Sequence, residues 1–442
     1  MGFAHRQPEH IRMESMIARL WARAYGLATL VHLTLPDFEQ EDWAVPRAIA
    51  FIGALILLRR PHPLGFLMCV VGAAIPLLFL RDVLTQSMYL LWVGMLGMAV
   101  SIRPSISILG PVRVITAMTY GLAALHKLNT DFLNPEYSCA QHAARQVAIR
   151  WPVFDGIDQV GLALPLVVIA VECALMVGIL RSRPWVWLLG IAFHLPLTAT
   201  LAPAFGAVML SGYICCLTPR HLVWARRAWR SHRPSIVGFT LGTFFCFILY
   251  DGGLSFWWTE LKLALAMGLA LGVILTIPGW GVVRSSAAPS ALSVVVGVLW
   301  LIHGLTPYVG LQYQHASAML SNLRIDSGCH NSLVFPESLV MEDPYVRINE
   351  ARIGHGQRKA RERIIESTLW NLSALHSMRR NWCIEELRPI TFRGVWKGTA
   401  FSVSDLCASD WAESQPPLKA TFSGFQRFQK NLPRSCPAAC IH

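Results

Sequence analysis

The sequence predicts an all-α polytopic membrane bundle of about ten or eleven transmembrane helices, followed by a small α+β extramembrane module. Three observations predict it. Apolar residues make up 54% of the chain and charged residues only 14%, where soluble domains carry about 25% charge. Apolar runs recur up to residue 311, and the arginines sit in short clusters between them. Beyond that point charge becomes dense and the long runs stop. The boundary separates a transmembrane domain, 1–311, from an extracytoplasmic C-terminal module, 312–442.

A spanning helix needs about 20 apolar residues. The candidate segments are 17–34, 46–58, 64–81, 84–102, 106–126, 159–180, 184–200, 204–218, 236–250, 261–277 and 291–311. Arg19 and Arg23 interrupt the first, which therefore begins as an interfacial amphipathic helix. The second is short and closed by Arg59-Arg60, a length that also suits a tilted or re-entrant segment. The residues before the first helix are polar, with no short apolar core and no Ala-x-Ala site, so that helix itself serves as the targeting signal.

Lysine and arginine concentrate in cytoplasmic loops. With the N-terminus in the cytoplasm, the inward loops receive Arg59-Arg60, Arg103, Arg181, Arg183, the run Arg220–Arg233 and Arg284. The outward loops receive the acidic stretch Asp37–Asp42, residues 127–158, residues 201–203 and Asp251–Glu260. Arg81, Arg145 and Arg150 are outward exceptions. This segregation supports eleven spans and places the module outside. It also accounts for the net charge of +12 without nucleic acid, for which the chain carries no motif.

In the module, residues 359–379 show Ile364, Ile365, Leu369, Leu372 and Leu375 at near-helical spacing, an amphipathic helix. Residues 388–403 alternate as strands do, with a turn at Gly394 or Gly398. Segments 411–417 and 433–442 read as irregular surface. Cys329, Cys383, Cys407, Cys436 and Cys440 lie in this module. An outside location permits disulfides, and the odd number leaves one thiol free or paired elsewhere, with Cys139 as the outward-loop candidate. No second pair with matching histidines accompanies Cys436-x3-Cys440, so no metal site is predicted.

Polar residues at membrane depth are expensive and mark function or a satisfied helix contact. The fifth helix delivers His126 and Lys127 to the outer face, with Asn129, Asp131 and Cys139 following. Low dielectric disfavours the ammonium, so a neutral amine can act there as a base. The plainer reading is a snorkelling lysine, with Asn129 and Asp131 capping the next element. Glu172 stands deep in the sixth helix, as a paired or functional carboxylate, or as a protonated acid bonding a neighbouring helix. His194, in the seventh, can shuttle protons or bond a neighbour. His303, in the last helix, reads as a helix-to-helix bond, and Gly304 and Pro307 beside it suggest a local kink. After that helix, Tyr308, Tyr313, His315, Asn322, Arg324 and His330 crowd the outer face.

The stretch Tyr120–Leu133, with its core His126-Lys127-Leu128-Asn129-x-Asp131-Phe132, resembles the signature helix end of the vitamin K-dependent gamma-carboxylase family. The wider group carries the HTTM (horizontally transferred transmembrane) domain. Glu172, Arg181–Arg183, Phe193-His194, and the helix 206–218 ending Cys216-Leu217-Thr218-Pro219 follow in similar order. Pro307–Leu311 and Met319–Arg324 look like the post-membrane motif of bacterial HTTM proteins. The resemblance spans about residues 15–345.

The resemblance implies a gamma-glutamyl carboxylase-like or quinol-epoxidase activity, a lyase by reaction class. Lys127 would be the base on reduced vitamin K or menaquinone, with O2 and CO2 as co-reactants and a peptide as substrate. Glu172 and His194 would join Lys127 as catalytic residues and, with Tyr308, shape the cavity, and His126, Asn129, Asp131, Tyr308, Asn322 and Arg324 would help bind substrate. The module is shorter than the carboxylase's lumenal part. Some bacterial relatives resemble maturation factors for secreted peptides, so the alternative is a non-enzymatic partner that matures or exports a peptide, or binds lipid. A transporter would show internal symmetry, and the sequence has none.

Overall fold

The computed structural model describes residues 9–33, 44–75, 85–103, 107–200, 204–250, 257–276, 290–311, 316–318, 320–341, 343, 345–354, 359–371, 375, 379, 382–383, 389–409 and 432–440. Expectations resting on Asp37–Asp42, Arg81, residues 201–203, Asp251, Arg284, Tyr313, His315, Met319, Leu372 and residues 411–417 lie outside them.

The chain is mostly helical, with one small antiparallel sheet. A helix stands on each predicted apolar segment. These are α1 (Glu9–Leu33), α2 (Ala44–Arg59), α3 (Pro63–Ile75), α4 (Thr85–Ile102) and α5 (Leu109–His126). A short α6 (Thr130–Leu133) and α7 (Cys139–Arg150) occupy the loop after α5. Then come α8 (Ala163–Leu180), α9 (Val186–Thr200), α10 (Phe205–Tyr213), α11 (Pro219–Tyr250), α12 (Trp257–Ile274) and α13 (Ala291–Leu305).

Among the described residues two helical stretches are long and apolar enough to cross a membrane, Ala163–Leu180 and Ala291–Val309. Other apolar helices, such as Pro63–Ile75 and Val186–Thr198, are shorter. Charge dilutes the rest: Arg19 and Arg23 in α1, Arg113 in α5, and the arginine run in α11.

Two helices depart from the expected loops. The run Arg220–Arg233 is the first half of α11, a helix of 32 residues, about 48 Å long at 1.5 Å per residue. Pro219 at its first position and the Ala- and Arg-rich sequence behind it favour helix. Loop 127–158 contains α7, whose buried residues Cys139, Ala140, Ala144 and Val147 share one face. Its last residue, Arg150, pairs with the buried Glu260 on α12, which accounts for one outward arginine.

The helical core is aromatic and tightly set. Trp21 of α1 stacks on Phe66 of α3 at 5.7 Å between centroids. A Cβ on Gly53 would stand 2.8 Å from the Gly65 carbonyl oxygen, so α2 and α3 approach closely only because both residues are glycine. Gly304 leaves room on α13 for Leu122 of α5. Twelve of the eighteen residues of α5 are buried, which makes it the central helix.

The module is built on β1 (Val346–Ile353), β2 (Thr368–Trp370), β3 (Ile390–Trp396), β4 (Thr399–Val403) and β5 (Leu432–Pro433), in the order β4-β3-β1-β2-β5. Trp396 pairs with Thr399, leaving Lys397 and Gly398 as a two-residue turn with φ of 51° and 75°. Positive φ at both positions is the hairpin turn that matches strand twist. Of the helix expected over 359–379, α14 (Lys359–Ser367) forms and Leu375 and Arg379 are again helical, but the strand Thr368–Trp370 interrupts it. Thr368–Trp370 leaves it for the sheet, where Leu369 and Trp370 are buried against β1 and β5. A second cluster, with Tyr308, Leu323, Ile325, Tyr345, Leu369 and Leu432, seats the module on Leu125 and Leu305 at the bundle end.

Candidate functional site

Helix α5 ends at His126, and Lys127 is its C-cap residue. The next residues turn back at once, because Asn129 caps α6 by accepting a hydrogen bond from the Phe132 backbone N–H at 2.8 Å. Lys127 is thereby held at the end of the central helix, 5% exposed. Its Nζ donates to Oε1 of Glu172 at 2.8 Å and to the Ala123 carbonyl oxygen at 3.3 Å. Glu172, 4% exposed, comes from α8, which packs against α5. Two residues 45 apart in the chain thus form one buried ion pair.

The pair lies on the wall of a cavity of about 270 Å³ bounded by α5, α6, α7, α8, α9 and α10. A dry cavity of about 150 Å³ accepts a benzene ring, so this space holds a larger ring system. Phe132, Val168, Val171, Phe193 and Phe205 give it apolar walls. Ala140, Ala143, Ala144 and Val147 of α7 close it with small side chains. The polar side chains reaching it are those of Thr119, Lys127, Glu172 and Ser317. The Thr119 hydroxyl donates to the Ile115 carbonyl oxygen at 2.9 Å. Among the described residues Glu172 Oε2 and Ser317 Oγ are buried without a hydrogen-bond partner. Buried acceptors and donors are nearly always paired, so these two lining residues keep hydrogen-bonding capacity to spare.

His194 is 2% exposed but lies outside the cavity lining. Its Nε2 shares a 2.5 Å hydrogen bond with the Tyr120 hydroxyl, which also bonds the Tyr213 hydroxyl. Tyr89 and Thr116 form a further buried pair at 2.8 Å. His194 therefore belongs to a helix-to-helix polar cluster. His303 packs its ring on Trp300 at 5.5 Å between centroids.

Tyr308 is also outside the lining. Its hydroxyl meets Nδ1 of His126 at 2.9 Å, while His126 Nε2 lies 2.8 Å from the Ala316 carbonyl oxygen. A carbonyl only accepts, so Nε2 carries the proton and Nδ1 accepts from the tyrosine. His126 thus clasps the chain after α13 onto the end of α5.

The other expected substrate-binding residues serve the same attachment. Asn129 Nδ2 donates to the His126 and Ser321 carbonyl oxygens at 2.7 and 2.6 Å. Asp131 accepts from the Ala438 N–H at 3.1 Å. Asn322, at φ 55°, accepts from the Cys139 N–H at 2.7 Å and donates to the Tyr137 carbonyl oxygen at 3.0 Å. Arg324 grips Asp326 with two bonds at 2.9 and 2.8 Å, and donates two more to the Ser435 and Pro433 carbonyl oxygens. His330 lies in the same region, and partial burial holds its imidazole below the ordinary value against the opposing pull of Glu337 and Asp326.

Disulfides complete the attachment. Cys139 pairs with Cys440, Cys329 with Cys436, and Cys383 with Cys407. The first resolves the odd number in the module: Cys139 of α7 is the sixth partner. Cys436 and Cys440 thus have partners other than a metal, and among the described residues no group of three or more His, Cys, Asp or Glu side chains could hold one.

Of the expected site residues, the fold brings Lys127 and Glu172 together and disperses the rest. Sequence reasoning missed Phe132, Ser317 and the α7 wall. The only sequence signal for that wall was the small-residue spacing in Cys139–Val147, which lay in a segment read as a loop. No family model matches the chain, and no curated protein or solved structure matches it.

Proposed function

We propose that the chain is a multi-pass membrane protein whose cavity takes a quinol-type ring and handles its hydroxyl proton through the Lys127–Glu172 pair. The N-terminus is cytoplasmic and the sheet module extracytoplasmic. The observation that carries this reading is Glu172 Oε2, buried and unpartnered on the wall of an otherwise apolar cavity, with Lys127 on the other oxygen.

The membrane reading draws support from the large apolar side chains the bundle leaves exposed. They include Phe51 and Leu55 on α2, Leu166 and Val167 on α8, Phe239 and Phe245 on α11, and Val295 and Ile302 on α13. Apolar faces on this many helices suit lipid and are unusual in water. The two disulfides within the module and the one that ties it to α7 agree with an oxidising outer compartment. The likeness of Tyr120–Leu133 to the vitamin K-dependent carboxylase group agrees with a quinol as ligand.

The site fits such a group. Apolar walls accept the ring, and a hydroxyl hydrogen is complementary to the unpartnered carboxylate oxygen. Ser317 Oγ offers a second polar contact. A bound quinol supplies the two-electron chemistry. The chain's own residues manage charge and proton. Lys127 compensates the carboxylate, so the pair is net neutral and tolerable in an apolar wall. A proton accepted at Oε2 leaves the Lys127 ammonium facing the developing negative charge, and exclusion of water strengthens that attraction. The amine, engaged with Oε1 and the Ala123 carbonyl oxygen, then acts as counter-charge while the carboxylate receives the proton.

The test is oxidation or epoxidation of reduced menaquinone by purified protein with O2. Wild type turns over, and Glu172→Gln and Lys127→Met each lose about 10²–10⁴-fold, the usual worth of general acid–base catalysis. Lys127→Arg, which keeps charge but cannot be a base, retains turnover if the carboxylate takes the proton and loses it if the amine does. Unchanged turnover in Glu172→Gln sinks the role of the pair. A folded wild type with no turnover gives the cavity to the second reading, in which it holds an apolar peptide or lipid without chemistry.

A further inference from the structure

The disulfide between Cys139 and Cys440 differs from the other two by its position. Cys139 is 2% exposed and lines the same cavity as Lys127 and Glu172, whereas Cys440 is only half-buried, near the end of the chain. One covalent bond therefore leads from the apolar interior toward the outer surface. None of Cys329, Cys436, Cys383 and Cys407 lines the cavity.

The surroundings of Cys139 suit a reactive sulfur. It is the first residue of α7, a helix of 12 residues, with Ser138 as N-cap. A thiolate there faces the positive end of the helix dipole. The Cys139 N–H is held by Asn322, and the Asp131 carboxylate holds Ala438 two residues before Cys440. Both ends of the bond are thus anchored independently, so the sulfurs stay near each other when it opens. The cavity also presents the unpartnered Glu172 Oε2 and Ser317 Oγ, the polar atoms that would orient a ring oxygen.

We propose that Cys139 and Cys440 are a redox-active pair that passes two electrons between a quinone in the cavity and a thiol reductant outside. This rests on the cavity being a quinone site. In the forward step both cysteines are reduced. The Sγ–Sγ bond forms, two electrons pass to the quinone, and the two thiol protons end on its two oxygens to give the quinol. In the return step an external dithiol attacks Cys440. The Sγ–Sγ bond breaks, the dithiol is oxidised to its own disulfide, and its two protons end on Cys139 and Cys440. The quinol needed by the Lys127–Glu172 pair is thereby regenerated in place.

The experiment uses full-length protein in detergent, reduced with a dithiol that is then removed, and mixed without oxygen with duroquinone. That quinone has no open ring carbon, so a thiol cannot add to it. Each cysteine pair is followed by differential alkylation and mass spectrometry, and quinol by absorbance. Cys139–Cys440 should re-form at least ten times faster than Cys383–Cys407, with one quinol per pair. Cys440→Ser should abolish that quinol formation and Cys383→Ser should leave it unchanged. Equal rates for the two pairs, or full quinol formation in Cys440→Ser, would overturn the proposal. Duroquinone binding to the oxidised protein is measured in parallel, wild type beside Ala143→Trp, which fills the cavity. Binding abolished by Ala143→Trp, together with equal re-formation rates, overturns the redox role and leaves the cavity reading standing. Binding that ignores Ala143→Trp overturns both.

Discussion

Among the described residues the bundle and the module each hold an ion pair with both partners buried, and the two are built differently. Arg324–Asp326 is saturated: both carboxylate oxygens take a guanidinium N–H, and the remaining Arg324 bonds hold the Ser435 and Pro433 carbonyl oxygens. Lys127–Glu172 is left open, with one carboxylate oxygen unpartnered at the cavity. A buried charge pair repays its desolvation only when its other hydrogen-bonding sites are filled. The saturated pair is a structural clamp. The open one carries an unmet demand that a ligand hydroxyl can satisfy, which separates structure from chemistry among residues of similar burial.

The largest expected effect tests that distinction directly. Combining Lys127→Met with Glu172→Gln removes both charges together. Stability should return close to wild type, since neutral replacement of a whole buried pair is often tolerated, while quinol turnover stays down by about 10²–10⁴-fold. Thermal melting and turnover on one preparation read both. Recovery of turnover would return Lys127 and Glu172 to the structural class.

Next in size is Arg324→Met, which strands Asp326 and should cost about 3–5 kcal/mol, seen as a lower melting temperature. Adding Asp326→Asn should recover only part of it, because the Ser435 and Pro433 carbonyl oxygens stay without donors, at about 1–3 kcal/mol for an unsatisfied group. Full recovery in the double variant would make the two pairs alike after all.

Tyr120→Phe breaks the hydrogen bonds to His194 and Tyr213. Polar contacts between membrane helices average about 0.6 kcal/mol, so a shift of that order with turnover unchanged is expected. A hundredfold loss of turnover would bring the Tyr120–His194 cluster into the mechanism. The smallest effect concerns His330. Its folded pKa lies below the unfolded value near 6.5. The unfolded chain therefore takes up a proton first as pH falls, and the module loses a little stability below about pH 6.5. A His330→Asn variant, whose melting should change less between pH 7 and 5, checks the assignment.

The helical segments were legible because a long apolar run admits few other structures, and Lys127 and Glu172 stood out because charge in or at the end of an apolar run is rare. Segment 359–379 was half legible. Its spacing suits a helix as far as Ser367, but Leu369 and Trp370 are drawn into the sheet by pairing with β1 and β5. The helix α7 was passed over because a polar, arginine-bearing stretch between apolar runs reads as loop until its small face has something to cover. His194 looked like chemistry for the same reason as Glu172, and only its partners distinguish the two.

By itself, then, the sequence determined where helices form, that one region is apolar and another rich in charge, and which polar groups within apolar runs need an account. Those are properties of local composition and period, expressed within a few turns of chain. Tertiary structure alone decided that Lys127 meets Glu172 across 45 residues and that Cys139 finds Cys440 across 301. It also decided that the pair lines a cavity and that one of its carboxylate oxygens has no partner among the described residues. Pairing at such separations depends on how whole helices pack and where the chain ends are clasped, and no local pattern encodes the partner.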